Sequence, residues 1–112
     1  MDIVFKSDRL RRDCTEDRWM QRAWGAERTG VLRRRLDQLH AAENLEHFRA
    51  AMHPRCHELK ANRAGLLSID LDGGHRLLIQ PAASPRPLRP DGGLDWNGVT
   101  AIRVMAVEDT HD

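Results

Sequence analysis

The chain has almost no net charge, because 18 lysine and arginine side chains face 17 aspartate and glutamate side chains. A protein that binds nucleic acid mainly by electrostatics needs basic residues in excess on one face. The balance argues against such a protein, so any basic patch in this chain must be local. The six histidines add positive charge only where their pKa values are raised, for example beside a phosphate.

Long apolar runs and paired cysteines are also missing. The N-terminal Met1–Lys6 segment carries an early acid and a short apolar stretch, so it resembles neither a secretory signal nor a membrane span. We therefore expect a cytoplasmic protein that contacts no membrane. Cys14 and Cys56 lack CxxC spacing, and two such cysteines in a reducing compartment are most often buried thiols rather than a disulfide.

The length and composition predict a single folded domain over residues 1–112. A content of 31% charged and 40% hydrophobic residues is ordinary for a folded chain, and this length allows one hydrophobic core. Residues 81–98 differ, because they contain all but one of the five prolines. We interpret them as a long irregular loop, whose far end packs back onto the domain through Leu94 and Trp96.

The first half of the chain has helical patterns. Asp2–Phe5 is rich in strand formers, and Ser7 is a good N-cap for a helix over about residues 8–24. A second helix is predicted over residues 27–42, where leucines recur at spacings of four and three. The three arginines at 33–35 are expected mainly on its polar side.

In the second half the hydrophobic period changes from helical to two. A short helical turn over residues 45–49 should end before Pro54, since the residue that precedes a proline disfavours helical backbone. Apolar and polar residues then alternate over 66–71. The turn residues 72–74 tolerate positive φ, and a second strand follows over 75–80, which together predict a hairpin.

Residues 100–107 form the last predicted strand, and apolar side chains on both of its faces are typical of a central strand. The order of elements is therefore one strand, two helices and then three or four antiparallel strands. This order predicts an α+β fold, in which an N-terminal strand and a two-helix hairpin pack on a small antiparallel twisted sheet.

Several residues suited to phosphodiester cleavage occur in this half. Cleavage of RNA without a metal ion needs a base for the 2′-hydroxyl proton, an acid for the leaving 5′-oxygen, and cations for the phosphorane. His57 and His111 are candidates for both proton roles, because imidazole titrates near neutral pH. Arg76 is the candidate phosphate clamp, Asp109 could orient an imidazole, and Lys60 could add a point charge.

The arrangement of these residues resembles a known family. The correspondence covers nearly the whole chain and uses the paired helices, His57-x-Leu59-Lys60-x-Asn62-Arg63-x-Gly65, Arg76-Leu77, Asp91-Gly92-Gly93-Leu94-Asp95-Trp96 and Asp109-x-His111. These features together are similar to the RelE, ParE and HigB superfamily of type II toxins, and most to its HigB-like branch.

The resemblance implies a toxin that cleaves messenger RNA in the ribosomal A site and is neutralised by a cognate antitoxin. It further implies contacts with ribosomal RNA, a possible toxin–antitoxin heterotetramer, and no cofactor or metal. His57, Asp109 and His111 match the family's functional positions, and Arg76 matches its basic residue after the hairpin. Two departures are Thr110, where the family commonly has tyrosine, and Ala61, where glycine is frequent.

Other readings of the same residues stay open. Lys60, Arg63 and Trp96 are candidates for RNA binding, yet Lys60 could be a solvated edge residue and Trp96 a buried anchor of the loop. His57 could be an ordinary packed or surface histidine, and Arg76 a cross-strand ion-pair partner. The alternative functions are a ParE-like toxin that binds DNA gyrase without catalysis, and an inactive homologue that only binds an antitoxin.

Overall fold

A five-stranded sheet and four α-helices make up the computed structural model, which describes residues 1–109. The strands are β1 (Asp2–Phe5), β2 (Cys56–Glu58), β3 (Leu67–Asp70), β4 (His75–Pro81) and β5 (Ala101–Asp109). The helices are α1 (Asp8–Thr15), α2 (Asp17–Trp24), α3 (Ala26–Ala41) and α4 (Leu45–Met52). The predicted α+β class is confirmed.

The sheet is mixed, which corrects the purely antiparallel prediction. Its strand order is β1-β5-β4-β3-β2, and β1 runs parallel to β5 with Asp2 opposite Ala101 and Phe5 opposite Val104. The remaining described pairs are antiparallel. Parallel neighbours need a long crossover, and here the crossover includes the helices and three strands. Alternation of hydrophobic residues identifies a strand, but it does not indicate which other strand it pairs with. The sequence therefore did not reveal the β1–β5 pairing.

The single helix predicted over residues 8–24 is divided at Glu16. This residue has an extended backbone, with φ −105° and ψ 121°, and it separates α1 from α2. The indole Nε1 of Trp24 then donates a hydrogen bond of 2.7 Å to the carbonyl oxygen of Asp13. In one continuous helix these two residues would lie about 16 Å apart along the axis. The hydrogen bond therefore holds α2 folded back against α1.

The apolar core lies between the helices and one face of the sheet. Residues that alternate along β3 and β4, such as Leu67, Ile69, Leu77 and Ile79, are almost completely buried in it. The residues between them leave the strands on the opposite side, which we call the outer face. The outer face carries His57 of β2, Ser68 and Asp70 of β3, Arg76 and Leu78 of β4, and Ala106 and Glu108 of β5.

Two smaller predictions about loops are confirmed. Gly73 and Gly74 of the hairpin turn have φ values of 54° and 79°, in the left-handed region that favours glycine. Leu94 and Trp96 are 4% and 8% exposed, so the far end of the proline-rich loop does pack onto the domain.

One arginine of the run at 33–35 departs from its predicted polar side. Arg35 is 8% exposed, and its Nε donates to the carbonyl oxygen of Asp70 at 3.1 Å. Burial lowers the pKa of this guanidinium from its ordinary value, and the neighbouring Arg55 lowers it further. Arg35 thus connects α3 to the end of β3.

Candidate functional site

The outer face of the sheet contains a cluster of two arginines around one carboxylate. Arg76 lies opposite Glu108 in the pairing of β4 with β5, and its Nη2 is 2.7 Å from Glu108 Oε1. Arg63, from the short 3₁₀ turn Ala61–Arg63, donates from both Nη atoms to the two carboxylate oxygens at 2.7 Å each. We call Arg63, Arg76 and Glu108 the arginine clamp.

The clamp is held together by hydrogen bonds between charged groups. Hydrogen bonds from Arg63 and then from Arg76 lower the pKa of Glu108 from 4.5 to about 2. The same contact raises the pKa of Arg63. Charge-assisted bidentate pairs of this kind are the stronger hydrogen bonds of proteins. The clamp therefore carries two positive charges and one negative charge at neutral pH.

A cavity of about 310 Å³ adjoins the clamp at the hairpin end of the sheet. Its lining residues are His57, Ser68, Asp70, Leu71, Gly74, His75 and Arg76. It thus brings together His57 and Arg76, which the sequence places 19 positions apart. Their backbones are two strand spacings apart and offset by two residues along the strands, because His57 is level with Leu78, so they lie roughly 12 Å apart, which long side chains can span.

His57 enters this cavity from the edge strand β2. The residue is exposed and lies opposite Ser68 in the β2–β3 pairing. Ser68 is 1% exposed, and its Oγ has no hydrogen-bond partner within residues 1–109. An exposed imidazole beside a buried hydroxyl and a guanidinium is an arrangement that can hold an anion and exchange a proton with it.

His75 is a site residue that the sequence reasoning missed. Its Nε2 lies 3.6 Å from Asp109 Oδ2, because these two residues face each other across β4 and β5. The side chain is 17% exposed, and its Nδ1 is buried without a hydrogen-bond partner in the described part of the chain. Because residues alternate along β4, the side chain of His75 leaves the strand on the face opposite to Arg76. Only the strand register reveals this pair, since 34 positions separate the two residues in the sequence.

The other predicted site residues lie in different surroundings. His111 falls outside the described residues, so its predicted role stays a prediction. Lys60 is exposed and precedes the 3₁₀ turn. Trp96 is buried, and the guanidinium of Arg49 lies 4.2 Å from the centre of its ring. The ring is thus covered, as the loop-anchor reading expects, and is not open to stack on an RNA base. Arg63 is held by the clamp.

The two cysteines are free and buried, as predicted. Burial raises the pKa of both thiols to about 12. Within residues 1–109 no three histidine, cysteine, aspartate or glutamate side chains are grouped to hold a metal ion. None of the helices in this range has the length and apolar character needed to span a bilayer.

The chain was also compared with known proteins. No model of a known protein family matches it, and neither does any curated protein sequence.

Proposed function

We propose that the chain is the toxin of a type II toxin–antitoxin system, and that it acts as a ribosome-dependent endoribonuclease on messenger RNA. The observation that supports this proposal is one cavity that is lined by both His57 and Arg76 on the outer face of the sheet. An imidazole and a guanidinium beside one hollow supply two of the groups that metal-independent phosphodiester cleavage requires, a proton-transfer group and a cation for the phosphorane. The toxin class itself comes from the resemblance of the sequence to the HigB-like branch.

In the proposed reaction His57 is the general base. It removes the 2′-hydroxyl proton, and the resulting oxygen attacks the adjacent phosphorus while the bond to the 5′-oxygen breaks. An imidazolium gives its proton to the leaving 5′-oxygen, and the products are a 2′,3′-cyclic phosphate and a 5′-hydroxyl. Arg76 stabilises the additional negative charge of the phosphorane.

Two histidines are candidates for the acid. His75 lines the end of the cavity, but it alternates with Arg76 along β4, so its side chain pairs with Asp109 on the opposite face and would have to reach round the strand end. His111 follows Asp109 by two positions and is the acid that the family resemblance implies. Separate alanine substitutions of the two histidines distinguish these roles.

Glu108 sets a condition on phosphate binding. Its carboxylate occupies hydrogen bonds of Arg63 and Arg76 that a phosphate would otherwise accept. A phosphodiester must therefore compete with Glu108, or bind to the N–H groups of Arg76 that remain. The Nε of Arg76 has no hydrogen-bond partner within residues 1–109, but it is buried, so the side chain would have to shift before a phosphate could reach it.

The proposed partners follow from the toxin class. They are the ribosome with its bound message, and a cognate antitoxin that neutralises the toxin, with a heterotetramer as the possible complex. The proposed compartment is the cytoplasm, where translation takes place. The proposed chemistry uses no cofactor.

A second candidate is an inactive homologue that only binds an antitoxin. The observation that favours it is that Glu108 offsets one of the two positive charges of the arginine clamp and occupies its hydrogen bonds, together with the covered ring of Trp96. Thr110 in place of the family's tyrosine points in the same direction. A gyrase-binding toxin of the ParE type would not need His57 at all.

Induction of the chain in a bacterium without its antitoxin separates these candidates. Transcript ends are mapped by primer extension for the wild type, His57→Ala and the control His40→Ala, which changes an exposed histidine on α3. New ends inside translated frames that disappear with His57→Ala support the nuclease. Growth arrest with intact messages and double-strand DNA breaks supports gyrase, and normal growth supports the inactive homologue.

A further inference from the structure

The first two helices carry a second cluster of arginines, which surrounds an indole ring. The guanidinium carbons of Arg12 and Arg22 lie 4.9 Å and 5.7 Å from the centre of the Trp19 ring. These three residues line an open cavity of about 540 Å³ together with Arg9, Asp13 and Ala23. We call Arg9, Arg12, Trp19 and Arg22 the tryptophan–arginine cluster.

The charges of this cluster are not used within the domain. In the part of the chain that the structure describes, no carboxylate lies within ion-pair distance of Arg9, Arg12 or Arg22. The nearby Arg11 and Arg33 differ, since they pair with Glu16 and Asp17. Three arginines against one aspartate thus leave a local positive charge that the overall net charge of +1 conceals.

One donor of the cluster is also left without a partner. The Nε of Arg12 is buried and makes no hydrogen bond to any atom of residues 1–109. A buried polar group without a hydrogen bond costs free energy, commonly about 1–3 kcal/mol. The guanidinium of Arg12 is therefore positioned by its contact with the Trp19 ring and not by a hydrogen bond from its Nε.

We propose that the tryptophan–arginine cluster binds single-stranded RNA. Arg9 and Arg12 would hold a backbone phosphate, and an unpaired base would stack on the outer side of the Arg22 guanidinium, which lies over the partly exposed Trp19 ring. Stacking on aromatic rings and on guanidinium planes is the common way in which proteins hold unpaired bases. An acidic peptide would use the arginines but would have no flat ring to stack on them, so the indole favours RNA.

This site is independent of the proposed cleavage site. The tryptophan–arginine cluster lies on α1 and α2, and it shares no lining residue with the cavity of His57 and Arg76. The tryptophan–arginine cluster would bind RNA whether or not the site on the sheet cleaves that RNA. A failure of either proposal therefore leaves the other unaffected.

Binding of a 2′-O-methyl uridine octamer to the full chain tests the inference, because this RNA analogue cannot be cleaved through its 2′-oxygen. Fluorescence anisotropy of the labelled octamer gives the affinity at several salt concentrations. Arg22→Glu should weaken binding at least about ten-fold and reduce the slope of log affinity against log salt by about one. Trp19→Leu should weaken it about ten-fold through lost stacking.

Arg34→Glu is the matched control, since it makes the same charge change at an exposed arginine of α3. It should alter the affinity less than about two-fold. Equal affinities of Arg22→Glu and Arg34→Glu would overturn the inference. It would also be overturned if poly-glutamate displaced the octamer and Trp19→Leu left the affinity unchanged, because an acidic protein partner would then be indicated. Circular dichroism of each variant confirms that the comparison is between folded chains.

Discussion

Arg63 and Glu108 are joined by two parallel hydrogen bonds of 2.7 Å although 45 positions separate them in the sequence. This bidentate pair connects a 3₁₀ turn to the central strand β5, and Arg76 adds a third hydrogen bond to the same carboxylate. The pair fixes the geometry of the proposed phosphate site and at the same time reduces its charge. Glu108 is thus the residue that decides how readily an anion enters.

Glu108→Gln should increase the affinity of the chain for inorganic phosphate. Two unit charges about 4 Å apart in water interact by roughly 1 kcal/mol, so removal of the repulsion between Glu108 and a bound phosphate corresponds to about five-fold or more in affinity. Isothermal titration calorimetry measures the affinity, with Glu43→Gln as a control at an exposed site just before α4. Equal affinities of Glu108→Gln and wild type would show that phosphate does not bind at the clamp.

The free energy of unfolding should depend on pH in part through the ionisation of Glu108. Its pKa is about 2 in the folded chain against an ordinary 4.5, so the ionised form is favoured by folding. The stabilisation is complete above about pH 4.5 and is lost as the pH falls toward 2. Urea unfolding between pH 6 and pH 2.5 should show this loss in the wild type. The curve for Glu108→Gln should be flatter, and two parallel curves would contradict the assignment.

Ala61→Gly should stabilise the chain. Ala61 has a φ of 57°, in the left-handed region, which costs about 1–2 kcal/mol for a residue with a Cβ. Glycine removes this cost but loses about 0.5–1 kcal/mol in chain entropy, so a net gain of about 0.5–1 kcal/mol is expected. Ala64→Gly is the matched control. Ala64 has a φ of −53°, so its replacement should give no gain in thermal denaturation.

Trp96→Phe should leave RNA cleavage unchanged. The indole ring of Trp96 is buried under Arg49, so we expect it to anchor the proline-rich loop and not to stack on a base. Phenylalanine keeps most of this packing, whereas Trp96→Ala should cost about 3–5 kcal/mol of stability. Urea unfolding and a cleavage assay on the same preparations separate the two roles. A Trp96→Phe protein that is stable but does not cleave RNA would indicate that Trp96 contacts the RNA.

The sequence predicted the elements of the fold better than their connections. Leucine spacing and the Ser7 N-cap gave the helices, and alternation with a Gly-Gly turn gave the hairpin, because these signals are local. The break at Glu16 accompanies the folding of α2 back onto α1, where Trp24 donates to Asp13, and the parallel pairing of β1 with β5 places Asp2 opposite Ala101. A pattern of hydrophobic residues contains no information about such partners.

The residue types of the candidate site could be predicted from the sequence, but the contacts between them could not. His57 and Arg76 were selected for their chemistry, and they do line one cavity. The roles of Glu108 and His75 could not be read from the sequence, because each depends on the register between β4 and β5. A shift of that register by one residue would turn these side chains to the opposite faces of the sheet.

Cleavage of a message bound in the ribosomal A site by the purified chain tests the central claim most directly. The measured quantity is the single-turnover rate for the wild type, His57→Ala, Arg76→Ala and the control His40→Ala. The proposed mechanism predicts a loss of about 100-fold or more for His57→Ala and Arg76→Ala, with His40→Ala unchanged and a 2′,3′-cyclic phosphate on the upstream fragment. A His57→Ala protein that cleaves at the wild-type rate would contradict the account.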